Sequence, residues 1–593
     1  MRLAANRLLL LGSVATALAI PSLAQVQNAA APAPAPAVAP AQVAPAPAPQ
    51  AQQPAAAQTE ALPEDETSTT ADAEAVEALP PPKPVEYPSF GRRDPFTAGV
   101  LNPAGMAIGT DPWGQANGVF LSTLMRRMET PIASRWAHIG LRDALLAAAQ
   151  SPRGVNPVDW AAERVWLLLR MGEADGAQML VADVDTDRFT PKMTQVAVQS
   201  ALASADPLAL CPLMDGMHKT DSRVLPLVQA ICAGLNGEPD SASAQIESAR
   251  RRGAISGIDL SLAQKVTGAT TDTGTAATIE WDPVQGLTSW RYGLAAATGM
   301  IPPKRLMDSA SPRVSAWYAR APLIPFDDRL QAARIAAGLG VFSSQALVDF
   351  YSKIYDSTDP NDLGGTDSWQ LRLAFAGRDQ DTRIAAMRHL WGLGDGRLQK
   401  EASRALLGTA AARIEPNPDL QDDAPNLIAS MLAAGLDSDA ARWANAVARM
   451  DDGPGDRAWA MLALGAPDGS NVDVGASRVN DFIGRDKSPG RKRSALLVAG
   501  LAALGRLDAG TASRLNSRYH LHIERPSPWA QMIDAAAKRN QGGTVLVLAG
   551  TGLQGADFQS VPSAQVFHIV MGLRNTGQQF LARMIAAEAL ART

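Results

Sequence analysis

Beyond about residue 115 the apolar positions recur with a helical period. Val158, Ala161, Ala162, Val165, Trp166 and Leu169 fall at i, i+3, i+4, i+7, i+8 and i+11, which is one apolar face. Asn156 stands where an N-cap is needed, Pro157 suits the first helical position, and Asp159 lies in the first turn. Gly172 predicts the end of that helix, and Ala174, Ala177 and Val181 begin a second one. The unit is a helix pair closed by a tight glycine turn.

The same order of apolar helix, glycine, polar residues and a new Ala-bearing helix returns at Leu235-Asn236-Gly237, Leu339-Gly340, Ala376-Gly377, Ala434-Gly435 and Leu504-Gly505. At Gly435 the pattern is sharp. Leu427, Ile428, Met431 and Leu432 precede it, Asp437 and Ser438 can cap the next helix, and Ala440, Trp443, Ala444 and Val447 follow on one face. Thr576 with Gln579 three residues on has capping-box spacing for a last helix carrying Phe580, Leu581, Ile585, Ala589 and Leu590. Helix pairs at irregular intervals predict an all-α chain, a right-handed α-α solenoid of degenerate pairs over 115–593, with a possible sub-boundary near 265–285.

The first 114 residues follow other rules. Arg2 and Arg7 precede an apolar run from Leu8 to Ile20, and Ser22-Leu23-Ala24 offers small residues at a cleavage position. Residues 1–24 therefore read as a secretory signal peptide. Residues 25–88 are Ala/Pro-rich and then acidic, which predicts a disordered tether. An extended backbone at about 3.1 Å per residue would give the Ala-Pro tract a reach on the order of 90 Å. Residues 89–114 are punctuated by Gly and Pro and read as an irregular lead-in lying against the folded body.

Charge sharpens this division. The first 77 residues hold seven acidic and two basic residues, and the remainder holds 52 of each sign. The helical part is formally neutral, which argues against a nucleic-acid partner, whose binders carry a basic excess. No stretch after Ile20 is apolar for the roughly 18 residues that a membrane span needs. No cysteine stands directly after the apolar run, so a lipoprotein anchor is not expected. The two cysteines, Cys211 and Cys232, lie in a chain addressed to a disulfide-permitting compartment, and the even count favours pairing them. The alternative is two separately buried thiols.

The array resembles tetratricopeptide-like repeats, with small residues at the interhelical contact, although their Trp, Tyr and Pro consensus is absent. The stretches DPWGQANGVFLSTLMRRMETPIASRWAHIGLRDALL and NPVDWAAERVWLLLRMGEADGAQML, together with the Cys211–Cys232 pair, resemble exported helical-repeat proteins of alphaproteobacteria that have no assigned activity. The resemblance implies an envelope protein with an all-helical fold. It supplies no catalytic residue.

Candidate chemistry is thin. Gly550-Thr551-Gly552-Leu553-Gln554-Gly555 follows a strand-like run, Thr544 to Ala549, and matches GxGxxG. A dinucleotide site also needs a βαβ unit and an acidic residue about 20 positions on, and residues 570–580 contain no Asp or Glu. A glycine-rich turn between helices is the simpler reading. His520 and His522 share a face if extended, but no third metal ligand is near them. Arg485 to Arg493 (RDKSPGRKR) is a basic loop able to touch an anionic polymer or lipid headgroups, or simply solvated. Asp356 to Asp367 is its acidic counterpart, with Asx-turn content and no EF-hand spacing. The twelve tryptophans are spread along the chain and read as packing between repeats.

No catalytic residue, cofactor or metal is therefore expected. The sequence predicts a non-enzymatic periplasmic scaffold of a Gram-negative envelope, whose partner is another envelope protein or peptide. Two alternatives stand beside it: a peptidoglycan-associated accessory protein or enzyme, and a structural envelope protein without a discrete ligand.

Overall fold

Asn156 caps its helix as the sequence predicts. In the computed structural model its side-chain oxygen accepts the backbone N–H groups of Val158 (2.9 Å) and Asp159 (3.2 Å). The helix runs Pro157–Met171 and ends at Gly172 in the left-handed region (φ 92°), after which Ala174–Ala182 begins. The structure describes residues 88–593 apart from Ala254, 271–277 and Ala556. The signal segment 1–24 and the tether as far as residue 87 lie outside the described residues.

The chain is all-α. The described residues form 28 α-helices with short 3-10 turns between them, and only isolated bridges stand in for strands. Gly237, Gly340, Gly435 and Gly505 all take positive φ at their helix ends, which is where glycine costs least. Gly377 does not; it leaves its helix at φ −54°.

Three further expectations are corrected. The run Thr544 to Ala549 is not a strand but lies inside the helix Gly542–Gly552, because its apolar residues are buried all round among neighbouring helices. Thr576 does not form a capping box. Its hydroxyl donates back to Gly572 O (3.0 Å) in the preceding helix, and Gln579–Ala591 starts without a side-chain cap. The helix expected after Gly435 breaks into Asp437–Ala441 and Ala444–Val447, with buried Trp443 at the break.

Residues 88–114 form three 3-10 turns that lie along the helices. Gly99 N donates to Asp183 (2.8 Å), Val100 N to Leu146 O (2.8 Å), and Trp113 is buried edge-on against Trp160, ring centroids 5.1 Å apart. None of the twelve tryptophans is exposed. One large apolar core runs through most of the chain. A second one, from Ala197 to Ala295, includes Cys232, with Cys211 packed on it. Cys211 and Cys232 are joined by a disulfide that ties the 3-10 segment Pro207–Leu213 to the helix Leu225–Leu235.

Successive helices pack in pairs, as in Pro157–Met171 with Ala174–Ala182, Arg397–Ala411 with Ala424–Ala433, and Ser563–Asn575 with Gln579–Ala591. In an open repeat array each unit touches only its neighbours. Here helices from near both ends of the described residues also meet. The final helix Gln579–Ala591 packs against Arg135–Leu146, Ala424–Ala433, Pro454–Gly465 and Lys492–Ala503.

A buried polar knot fastens this closure. Glu588 accepts from Ser134 Oγ (2.5 Å) and from the backbone N–H groups of Arg135 (2.7 Å) and Trp136 (3.2 Å). Its carboxylate thus sits at the N-terminus of the helix Arg135–Leu146, where negative charge is favoured. Arg592 Nη1 donates to the same carboxylate (2.6 Å). The Arg135 guanidinium points the other way and donates to the carbonyls of Ala337 (2.9 Å), Phe342 (3.2 Å) and Ala433 (2.8 Å). It satisfies the open carbonyls at the C-terminal ends of two other helices.

Candidate functional site

The residues singled out in the sequence fall mostly into structural places. Gly550 and Gly552 lie on the last turn of a helix, and Trp529 packs so closely on Gly552 that a Cβ there would be 2.5 Å from its ring. No phosphate cradle forms. His520 and His522 are both in left-handed conformations (φ 54° and 55°) in the loop after Tyr519. No group of three or more His, Cys, Asp or Glu could hold a metal among the described residues. Asp359 Oδ1 accepts Asn361 N (2.8 Å), an Asx turn in the acidic loop.

The basic loop is largely neutralised from within. Arg485 and Arg478 both donate to Asp456, at 2.8 and 2.7 Å. Burial would raise the Asp456 carboxyl, but these guanidiniums outweigh it and hold it below the usual carboxylate range. Asp486 is held low in the same way by Ser494 and Ser488 against its burial. Lys492 donates to Val561 O, and Arg493 donates to Thr593 O (3.1 Å). A cleft of about 700 Å³ opens here, lined by Arg457, Arg485, Lys487 and Arg493 and also by Asp452, Asp456 and Asp486. Alternating charges of this kind do not make a continuous track for a polyanion, although Arg457 and Lys487 make no ion pair among the described residues.

A different cleft, of about 670 Å³, has the character of a binding surface. One wall is the start of the helix Gly118–Arg127, capped by Asn117, whose side chain accepts Phe120 N (3.0 Å). The other wall is Pro528–Lys538, capped by Ser527 on Ala530 N (3.0 Å). The floor is the helix Gly542–Gly552, which contributes Thr544 and Leu548. Phe120 and Met532 stand on the walls with 39% and 38% of their surface exposed. Gln115, Gln531 and Arg539 add polar groups.

Thr544 is 4% exposed, and its hydroxyl has no hydrogen-bond partner within the protein. A buried hydroxyl left unpaired costs about 1–3 kcal/mol, and this one is closed off from solvent. The lining residues include no carboxylate, imidazole or thiol. An apolar floor, adaptable Met and aromatic walls and a few polar groups suit recognition of a peptide segment.

Searched against known proteins, the chain matches no family model, no curated protein and no solved structure.

Sequence reasoning did not single out this cleft. Its walls are about 410 residues apart in the chain. The one local signal was the adjacent apolar pair Val119-Phe120 at a helix start, both of which are exposed.

Proposed function

We propose that this chain is a non-enzymatic interaction module of the bacterial cell envelope, exported by residues 1–24, that holds an apolar peptide segment of another envelope protein. The observation that carries the reading is the cleft between Gly118–Arg127 and Pro528–Lys538, with Phe120 and Met532 exposed on its walls. Exposed apolar side chains grouped around a cleft mark binding surfaces. The uncharged floor supports a peptide over an anionic polymer.

Crosslinking in intact cells followed by mass spectrometry tests the reading. A specific envelope partner should be recovered with the unaltered chain and lost with Phe120→Asp and Met532→Asp, both at solvent-exposed positions. Recovery that is insensitive to these two changes, or no specific partner at all, overturns it.

A second reading, association with the cell wall, rests on the cleft at 485–493, where Arg457 and Lys487 make no ion pair among the described residues. Sedimentation with purified sacculi separates the two readings. Binding that survives Met532→Asp and is lost with Arg457→Gln plus Lys487→Gln would favour the wall.

A further inference from the structure

A smaller cavity of about 150 Å³ forms where three elements converge. These are the loop Thr130-Pro131-Ile132, the last turn of Pro157–Met171 with Arg170, and the first turn of Pro312–Ala319 with Ser311 and Arg313. His138 and Leu339 complete the lining.

Two guanidiniums face this space and neither makes an ion pair among the described residues. Arg170 is half-buried and gives one hydrogen bond, from Nη1 to Arg126 O (2.9 Å). Arg313 is exposed at the mouth and lies beside the Trp317 ring, 6.0 Å from its centroid. Two neighbouring carboxylates are engaged elsewhere, and a third, Glu129, is exposed and outside the lining. Glu173 accepts from His138 Nε2 (3.0 Å) and lies 3.8 Å from Arg142, and Asp175 pairs with Arg320. Burial first, and then the like charge of Arg313, lower the pKa of Arg170, with exposed Glu129 opposing them. Two cations share a cavity that supplies no counter-charge of its own.

The surroundings favour an anion. Ser311 is the N-cap of Pro312–Ala319, yet its side chain caps no amide, so its hydroxyl is available to a ligand. Positive dipole charge at this helix end adds to the two guanidiniums. Arg forks match the oxygens of phosphate and carboxylate. The volume is that of about five waters, which holds one tetrahedral oxyanion with part of its shell. It is smaller than the roughly 300 Å³ at which organic-ligand pockets begin.

We propose that this cavity binds a single phosphate-class oxyanion between Arg170 and Arg313, as free phosphate or as a compact phosphoryl headgroup. Its lining shares no residue with the peptide cleft.

Calorimetric titration of the full chain with inorganic phosphate at fixed ionic strength tests it, alongside flotation with vesicles containing phosphatidylglycerol. One saturable phosphate site is expected, weakened at least tenfold by Arg170→Gln and by Arg313→Gln and retained in part by Arg170→Lys. Lys400→Gln, on an exposed helix face away from both clefts, should leave it unchanged, and circular dichroism checks that each variant is folded. Vesicle binding lost in the same two variants, without a response to inorganic phosphate, assigns the oxyanion to a headgroup. Absence of both responses, or responses untouched by Arg170→Gln and Arg313→Gln, overturns the proposal.

Discussion

At the scale of single residues, the decisive groups are polar and buried. Glu588, 6% exposed, is the shared acceptor for Ser134, two backbone amides and Arg592. Glu588→Ala should cost about 3–5 kcal/mol, because removing one partner leaves buried donors and an uncompensated Arg592 behind. Denaturant unfolding of the variant reads that directly. Burial would lower Arg592, but Glu588 and Glu401 outweigh it and carry its pKa up, so this cation belongs to the knot. Three phenols respond to alkali. Burial holds Tyr292 and Tyr351 protonated well above their usual range and pushes Tyr318 up to about 12. A phenol kept protonated in the fold but free to ionise near 10 when unfolded stabilises the chain below about pH 10. That contribution is lost as pH rises toward the folded pKa. Stability measured from about pH 9 to about pH 11 should therefore fall by up to about 1.4 kcal/mol per pH unit for each such tyrosine. Tyr318→Phe should make the decline shallower, and an unchanged slope would refute this assignment.

At the scale of elements, local chemistry placed most helix ends and close packing joined the helices. Asn156 was legible as a cap from its position ahead of Pro157, and Asn156→Ala should cost about 1 kcal/mol in thermal unfolding. The small residues expected at interhelical contacts are where helices come closest. A Cβ on Gly408 would lie 2.2 Å from Ala434 Cβ and 2.7 Å from Ser430 O, so Arg397–Ala411 and Ala424–Ala433 touch backbone to backbone. Gly408→Ala should force these helices apart at a cost of about 1–3 kcal/mol, despite the better helix propensity of alanine. The disulfide closes a loop of 21 residues in sequence separation beneath the second core. Replacing both cysteines by serine should remove roughly 3 kcal/mol. Hydrogen exchange should rise in Pro207–Leu213 and Leu225–Leu235 before it rises in the large core. Errors of sequence reading arose where context outweighed pattern. Thr544 to Ala549 is apolar on every side because its helix is surrounded, and a short apolar run cannot be assigned to helix or strand by periodicity alone.

At the scale of the whole molecule, closure separates this fold from an open stack. Deleting the last turns of an open array removes one unit's share of stability. Here the final helix touches helices from both halves of the chain, so truncation after Gly577 should destabilise Arg135–Leu146 as well as its near neighbours. Proteolysis near residue 135 in the truncated chain, absent from the intact one, is the expected result. Helical class, most glycine turns, the Asn156 cap and the inward use of tryptophan were determined by the sequence alone, because each depends on residues within a few turns of one another. Among the described residues no helix is long and apolar enough to cross a membrane, as hydropathy along the chain implied. Only the tertiary structure decided that Ser134 meets Glu588 across 454 positions, that Phe120 and Met532 face one cleft, and that Arg170 and Arg313 share one cavity. The physical reason is range. Caps and periodicity are local, whereas a buried charge finds its partner, and a cleft its second wall, only after distant helices have packed.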